Sequence, residues 1–136
     1  MDYNPDRVIY VNRFSMHCIG VDIVEIARLE KAIGRWGKDF LSRVYTDSEL
    51  KLYRKKPSSL AARFAAKEAV IKALGNPTKD VSLREIEILT DPGGRPVVNL
   101  YGKAQSQAQS LGLDKLAVSL SHSKEYAVAF VSGESE

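Results

Sequence analysis

Residues 60–74 read as a helix whose apolar side is broken by charge, and that break limits what can pack against it. At about 3.6 residues per turn, Leu60, Phe64, Ile71 and Leu74 fall on one stripe, and Lys67 projects from the middle of it. Arg63 and Glu68 border the stripe on either side. Core stripes rarely carry a lysine, so this surface is predicted to face a polar cleft, not a sealed interior. The helix is bounded by Pro57-Ser58-Ser59 before it and Gly75-Asn76-Pro77 after it.

The elements around this helix follow from pattern. A short apolar run over 18–21 ends in Asp22, and Ile26, Leu29 and Ile33 then recur at helical spacing as far as Gly34. This is strand, turn, helix. A further short helix is predicted over 36–44, and Thr46-Asp47-Ser48-Glu49 has the form of a capping box opening another. In the second half, Glu85-Ile86-Glu87-Ile88 alternates as a half-buried strand, Asp91-Pro92-Gly93-Gly94 is a strong turn, and 96–100 returns as its hairpin partner. A helix over 103–111 and strands over 116–121 and 126–131 complete the chain. The expected fold is α+β, an antiparallel sheet wrapped against the long central helix.

Size and composition narrow the classes. At 136 residues the chain is one domain, expected over 16–136 behind an N-terminal extension of 1–15, with Met16 as an alternative start. The hydrophobic fraction of 44% and charged fraction of 27% are those of a soluble globular protein. No run approaches the roughly 20 apolar residues of a membrane span, and the first residues lack a signal peptide's apolar core, so the cytosol is the expected location with no membrane partner. The single cysteine, Cys18, has no partner for an internal disulfide or a zinc site and reads as a buried strand residue. A net charge of +3 does not by itself argue for nucleic acid.

Each candidate site residue also has a plain structural explanation. Asp22 would serve as a helix N-cap, with Glu25 following it. Glu68 and Lys72 form a favourable i, i+4 pair on a solvated face. Lys67 can run its methylenes over Phe64 and Ile71 and leave its ammonium in water. Arg63 and Lys67, however, are like charges at i, i+4, unfavourable unless an anion lies near both. Two carboxylates from separate elements, Asp22 and Glu68, can hold one Mg²⁺ while leaving positions for waters and phosphate oxygens, and adjacent cations can cradle the phosphate. Residue chemistry thus reaches a candidate Mg²⁺ and phosphate site.

Gly20-Val21-Asp22 followed by Arg63-Phe64-Ala65-Ala66-Lys67-Glu68-Ala69 resembles the paired signature of the phosphopantetheinyl transferase superfamily, specifically its short bacterial holo-acyl-carrier-protein synthases. The resemblance extends to residues 46–50, to Asp91-Pro92-Gly93-Gly94-Arg95-Pro96, to Val118-Ser119-Leu120-Ser121-His122-Ser123 and to Tyr126-Ala127-Val128-Ala129. It implies transfer of 4′-phosphopantetheine from coenzyme A to a serine of an apo-acyl-carrier protein. By that resemblance Asp22 and Glu68 are the Mg²⁺ ligands, and Glu68 orients a water that deprotonates the serine. Lys67 lies by the pyrophosphate, while Arg63 and His122 face the 3′-phosphate of coenzyme A. It further implies a homotrimer with active sites between subunits.

Arg28, Lys31, Arg35 and Lys38 line one stripe of the helix after Asp22, opposite Ile26, Leu29 and Ile33. Such a stripe is ordinarily a solvated face. Beside a transferase site it becomes a docking surface for the acidic helix of a carrier protein, with Arg28 the first choice. Lys51, Arg54, Lys55 and Lys56 either guide the carrier or coenzyme or simply suit a helix C-terminus. A nucleic-acid-binding module would use that cluster but leaves Glu68 unexplained, and a silent carrier-binding domain would not need Asp22, Lys67 and Glu68.

Overall fold

A computed structural model describes residues 17–75 and 80–135. The N-terminal extension, the Met16 start, and Asn76 and Pro77 of the predicted helix stop lie outside the described residues. Strand β1 (His17–Glu25) leads into helix α1 (Ile26–Val44), followed by α2 (Asp47–Tyr53) and α3 (Pro57–Leu74). A 3₁₀ turn (Leu83–Glu85) precedes the hairpin β2 (Ile86–Thr90) and β3 (Pro96–Leu100), then α4 (Gly102–Ser110), β4 (Leu113–His122) and β5 (Tyr126–Ser135). The strands form one antiparallel sheet in the order β1-β5-β4 and a separate two-stranded sheet, β2-β3. Helix α3 packs across the inner face of the first sheet and also against β2, which bears out the α+β expectation.

The capping box is present in both arms. Thr46 Oγ1 accepts from the Glu49 N–H at 3.2 Å, and the Glu49 carboxylate accepts from the Thr46 N–H at 2.9 Å. The helical pattern after Asp22 and the predicted helix over 36–44 merge into α1, interrupted at Gly37, whose φ of 56° and ψ of −131° lie outside helical space. The hairpin turn closes as expected, with the Asp91 carboxylate accepting from the Arg95 N–H at 2.8 Å.

Two expectations are corrected. Asp22 is not an N-cap: β1 runs three residues further, Asp22 pairs opposite Ala129 in the ladder, and the cap position falls to Glu25 without a side-chain bond. The first turn of α1 is held instead by the Ile26 N–H donating to the Glu125 carbonyl at 2.9 Å. The second correction concerns α3. The stripe predicted to face one polar cleft is split: Leu60, Lys67 and Leu74 are buried, whereas Phe64, Glu68 and Ile71 are half-buried and Lys72 is exposed. What α3 buries is mostly small: Ala61, Ala62, Ala65, Ala66, Ala69 and Ala73 let neighbouring backbones come close.

That closeness explains a glycine. A Cβ on Gly20 would sit 1.8 Å from the Ala69 carbonyl oxygen, so β1 can lie against α3 only without a side chain there. On the opposite face of the sheet, Ile19, Val21 and Ile23 of β1 stay more than half exposed, with Phe130 directly across from Val21.

Candidate active site

The contact between Gly20 and Ala69 fixes the two residues that matter next to it. Two positions beyond Gly20, Asp22 leaves β1; one position before Ala69, Glu68 leaves α3. Both line a single open cleft of about 380 Å³, walled by Phe40 and Phe64, with Arg28 and Ala32 of α1 on its far side. The two phenyl rings lie 6.4 Å apart between centroids and near-parallel at 19°, giving the cleft an apolar wall behind its carboxylates.

The charge in this cleft is only partly balanced. Lys72, one turn beyond Glu68, donates to Asp22 Oδ1 at 3.1 Å and to the Val21 carbonyl at 3.0 Å, while its own side chain stays 56% exposed. Burial pushes the Glu68 pKa up, the Asp22 charge pushes it further, and Lys72 opposes both. A carboxylate raised in this way is ready to take a proton or a cation.

The predicted cations of α3 face elsewhere. Lys67 is wholly buried and donates to Glu49 Oε1 at 2.7 Å, to the Leu83 carbonyl at 3.1 Å and to the Ile86 carbonyl. The other oxygen of Glu49 accepts from the Ile88 N–H at 2.8 Å, so this ion pair ties α2 and α3 to β2. Burial lowers the Lys67 pKa against the pull of Glu49. Arg63 is likewise buried, its Nε donating to the Ile88 carbonyl at 3.0 Å and its Nη2 to Thr90 Oγ1 at 3.1 Å, with the guanidinium 3.5 Å over the Tyr53 ring. The anion beside Lys67 is therefore Glu49 of this chain, while Arg63 is satisfied by carbonyl and hydroxyl oxygens. Adjacent residues on a helix point about 100° apart, which puts Lys67 on the hairpin side and Glu68 on the cleft side. The expectation that Lys67 and Arg63 stand in the cleft beside Asp22 and Glu68 is corrected accordingly.

His122 ends β4 opposite Ala127, exposed and outside the cleft's lining. Arg28, Lys31 and Arg35 are all exposed on α1, and of these Arg28 reaches the cleft wall. The residue that sequence reading missed is Lys72. Its i, i+4 spacing from Glu68 was visible, but the strand that places Asp22 against it was not. Among the described residues no cluster of three or more His, Cys, Asp or Glu side chains is arranged to hold a metal, so a cation here would rest on two carboxylates.

Residues 18–131 match the family model of the 4′-phosphopantetheinyl transferase superfamily. The chain is 56% identical over 112 residues to a holo-[acyl-carrier-protein] synthase of Dehalococcoides mccartyi, covering 82% of this chain and 93% of that protein. The solved holo-[acyl-carrier-protein] synthase of Helicobacter pylori in complex with coenzyme A superimposes with a TM-score of 0.74 at 38% identity, covering 83% of this chain and 96% of that one. The holo-acyl-carrier-protein synthase of Plasmodium yoelii superimposes at 0.78 with 30% identity, over 89% and 98% of the two chains. With the Gly20 contact and the Asp22–Glu68 cleft in place within that matched span, the chain belongs to the 4′-phosphopantetheinyl transferase superfamily, among its holo-[acyl-carrier-protein] synthases.

Proposed function

We propose that this enzyme transfers 4′-phosphopantetheine from coenzyme A to a serine of apo-acyl-carrier protein, releasing adenosine 3′,5′-bisphosphate, with Mg²⁺ held by Asp22 and Glu68. The observation that carries the reading is the placement of Asp22 and Glu68 in one cleft with Lys72 bonded to Asp22. The donor set fits magnesium, which takes one or two carboxylates and completes its shell with water and phosphate oxygens. Bound there, the ion would draw charge from the pyrophosphate and so ease departure of the leaving group.

The chain's own residues supply the rest. Lys72 is exposed enough to move its ammonium from Asp22 to a phosphate oxygen, the role that sequence reading gave to Lys67. Glu68, beside the ion, would orient a water that takes the proton of the carrier serine. Phe40 and Phe64 keep one wall of the cleft dry. Arg28 at the rim, with Lys31 and Arg35 beyond it, meets the acidic helix of the carrier.

The exposed apolar row Ile19, Val21, Ile23 and Phe130 supports a homotrimer, because a face of this kind is normally covered by another subunit. In such an assembly His122 faces the 3′-phosphate of coenzyme A held by a neighbouring subunit.

Incubating the protein with apo-acyl-carrier protein, coenzyme A and Mg²⁺ tests the activity. Mass spectrometry should show the carrier gaining a single phosphopantetheine, and a carrier unchanged in mass would refute the reading.

A further inference from the structure

We infer that Trp36 is the apolar anchor of carrier-protein docking, set within the basic row of α1. The inference rests on the transferase reading above and adds to it a residue that neither the cleft nor the charge stripe uses. Trp36 is the single tryptophan of the chain and is 57% exposed. Trp36 shares α1 with the cleft residues Arg28 and Ala32, and tryptophan is among the residue types most enriched at the energetic centre of protein interfaces.

Position argues for the same role. Arg28, Ala32 and Trp36 follow one another at i, i+4 and i+8, and the first two line the cleft. The row ends at Trp36, because the helix breaks at Gly37 immediately after it. Rising about 1.5 Å per residue, the row runs roughly 12 Å from the cleft along a convex helix, a span suited to the side of a protein helix and too open to enclose a small molecule.

Charge identifies the partner's chemistry. Arg28, Lys31, Arg35 and Lys38 are exposed on this segment, against Glu30 and Asp39, so its excess is positive and its complement is an acidic protein surface. The Arg35 guanidinium lies over the Trp36 ring at 4.9 Å from the centroid, a contact that favours this orientation of the indole before any partner arrives. An anchor ordered in advance loses less side-chain freedom on binding. An acidic carrier helix presenting an aliphatic side chain between its carboxylates would place that side chain on Trp36 and its charges on Arg28, Lys31 and Arg35.

A lone tryptophan makes the test direct. The full chain is titrated with a tryptophan-free apo-acyl-carrier protein in the absence of coenzyme A, while indole emission and its quenching by acrylamide are followed. In the free enzyme the emission should be that of a solvated indole, and the carrier should shift it to the blue and cut acrylamide access about threefold or more. In steady state, Trp36→Ala should raise the KM for carrier about tenfold, leave the KM for coenzyme A unchanged, and be largely rescued by Trp36→Phe. Arg28→Glu should raise the carrier KM in the same selective way. An indole already shielded in the free enzyme overturns the inference, and so does unchanged emission at carrier concentrations where the carrier is being modified. An unaltered carrier KM in Trp36→Ala also overturns it. A carrier that is never modified would instead bring down the transferase reading, and the anchor with it.

Discussion

Helix α3 carries ions on both of its flanks, and the two flanks are opposites. On the hairpin side, Lys67 and Arg63 meet Glu49, Thr90 and the carbonyls of β2, and among the described residues no buried side-chain polar atom lacks a partner. On the cleft side, Asp22 and Glu68 share a half-exposed wall with Lys72, and Glu68 keeps a raised pKa. A saturated network holds the fold together and has nothing left to bind with. An unbalanced one is available for a ligand.

Substitutions on each flank should break that contrast in different ways. The largest effect is expected from Glu68→Gln, which should lower kcat by about a thousandfold or more while circular dichroism stays native and the melting temperature does not fall. If the variant keeps its activity, Glu68 is no more than surface charge. Next comes Lys67→Met, which leaves the Glu49 carboxylate buried without its cation and should cost about 3–5 kcal/mol in urea unfolding. Adding Glu49→Gln should restore much of that loss, since both charges are then gone. If Lys67→Met were instead stable and inactive, Lys67 would belong to the chemistry after all.

Gly20→Ala sharpens the comparison by acting on the joint between the flanks. Its methyl would collide with the Ala69 carbonyl and push β1 away from α3, at about 1–3 kcal/mol of stability. Because Asp22 moves with the strand, kcat should fall about tenfold or more even at temperatures where the variant stays folded. Full activity in a destabilised Gly20→Ala would separate the glycine from the site.

The smallest effect concerns pH. Glu68 has a folded-state pKa raised by burial and by Asp22, so the native chain holds this proton to higher pH than the unfolded chain does. Stability from this group is present below the ordinary carboxylate pKa and declines as pH rises through the raised one. Without divalent cations, Glu68→Gln should therefore melt slightly above the parent at about pH 7 and level with it at about pH 4. A reversed order would mean that Lys72 outweighs burial and Asp22.

Much of this architecture was legible in the residues. Thr46 and Glu49 announced the start of α2 and Asp91 to Gly94 the hairpin, whereas the close approach of Gly20 to α3 was not legible in the residues. What could not be read was direction. A helix buried on most sides by alanines has no single apolar face, so its charged stripe pointed to one polar cleft holding Arg63, Lys67 and Glu68 together, whereas Lys67 and Arg63 turn to the hairpin and Glu68 alone to the cleft. Asp22 looked like a cap because strand pairing with β5, which carries β1 on to Glu25, is a contact across more than a hundred residues. Lys72 was passed over for the same reason: its partner comes from another element.

The central claim is that Asp22 and Glu68 act jointly on one divalent ion, and calorimetric titration of Mg²⁺ into the chain saturated with coenzyme A tests it without turnover. The account predicts one ion per chain, with binding lost in both Asp22→Asn and Glu68→Gln. Undiminished Mg²⁺ affinity in either variant would contradict it.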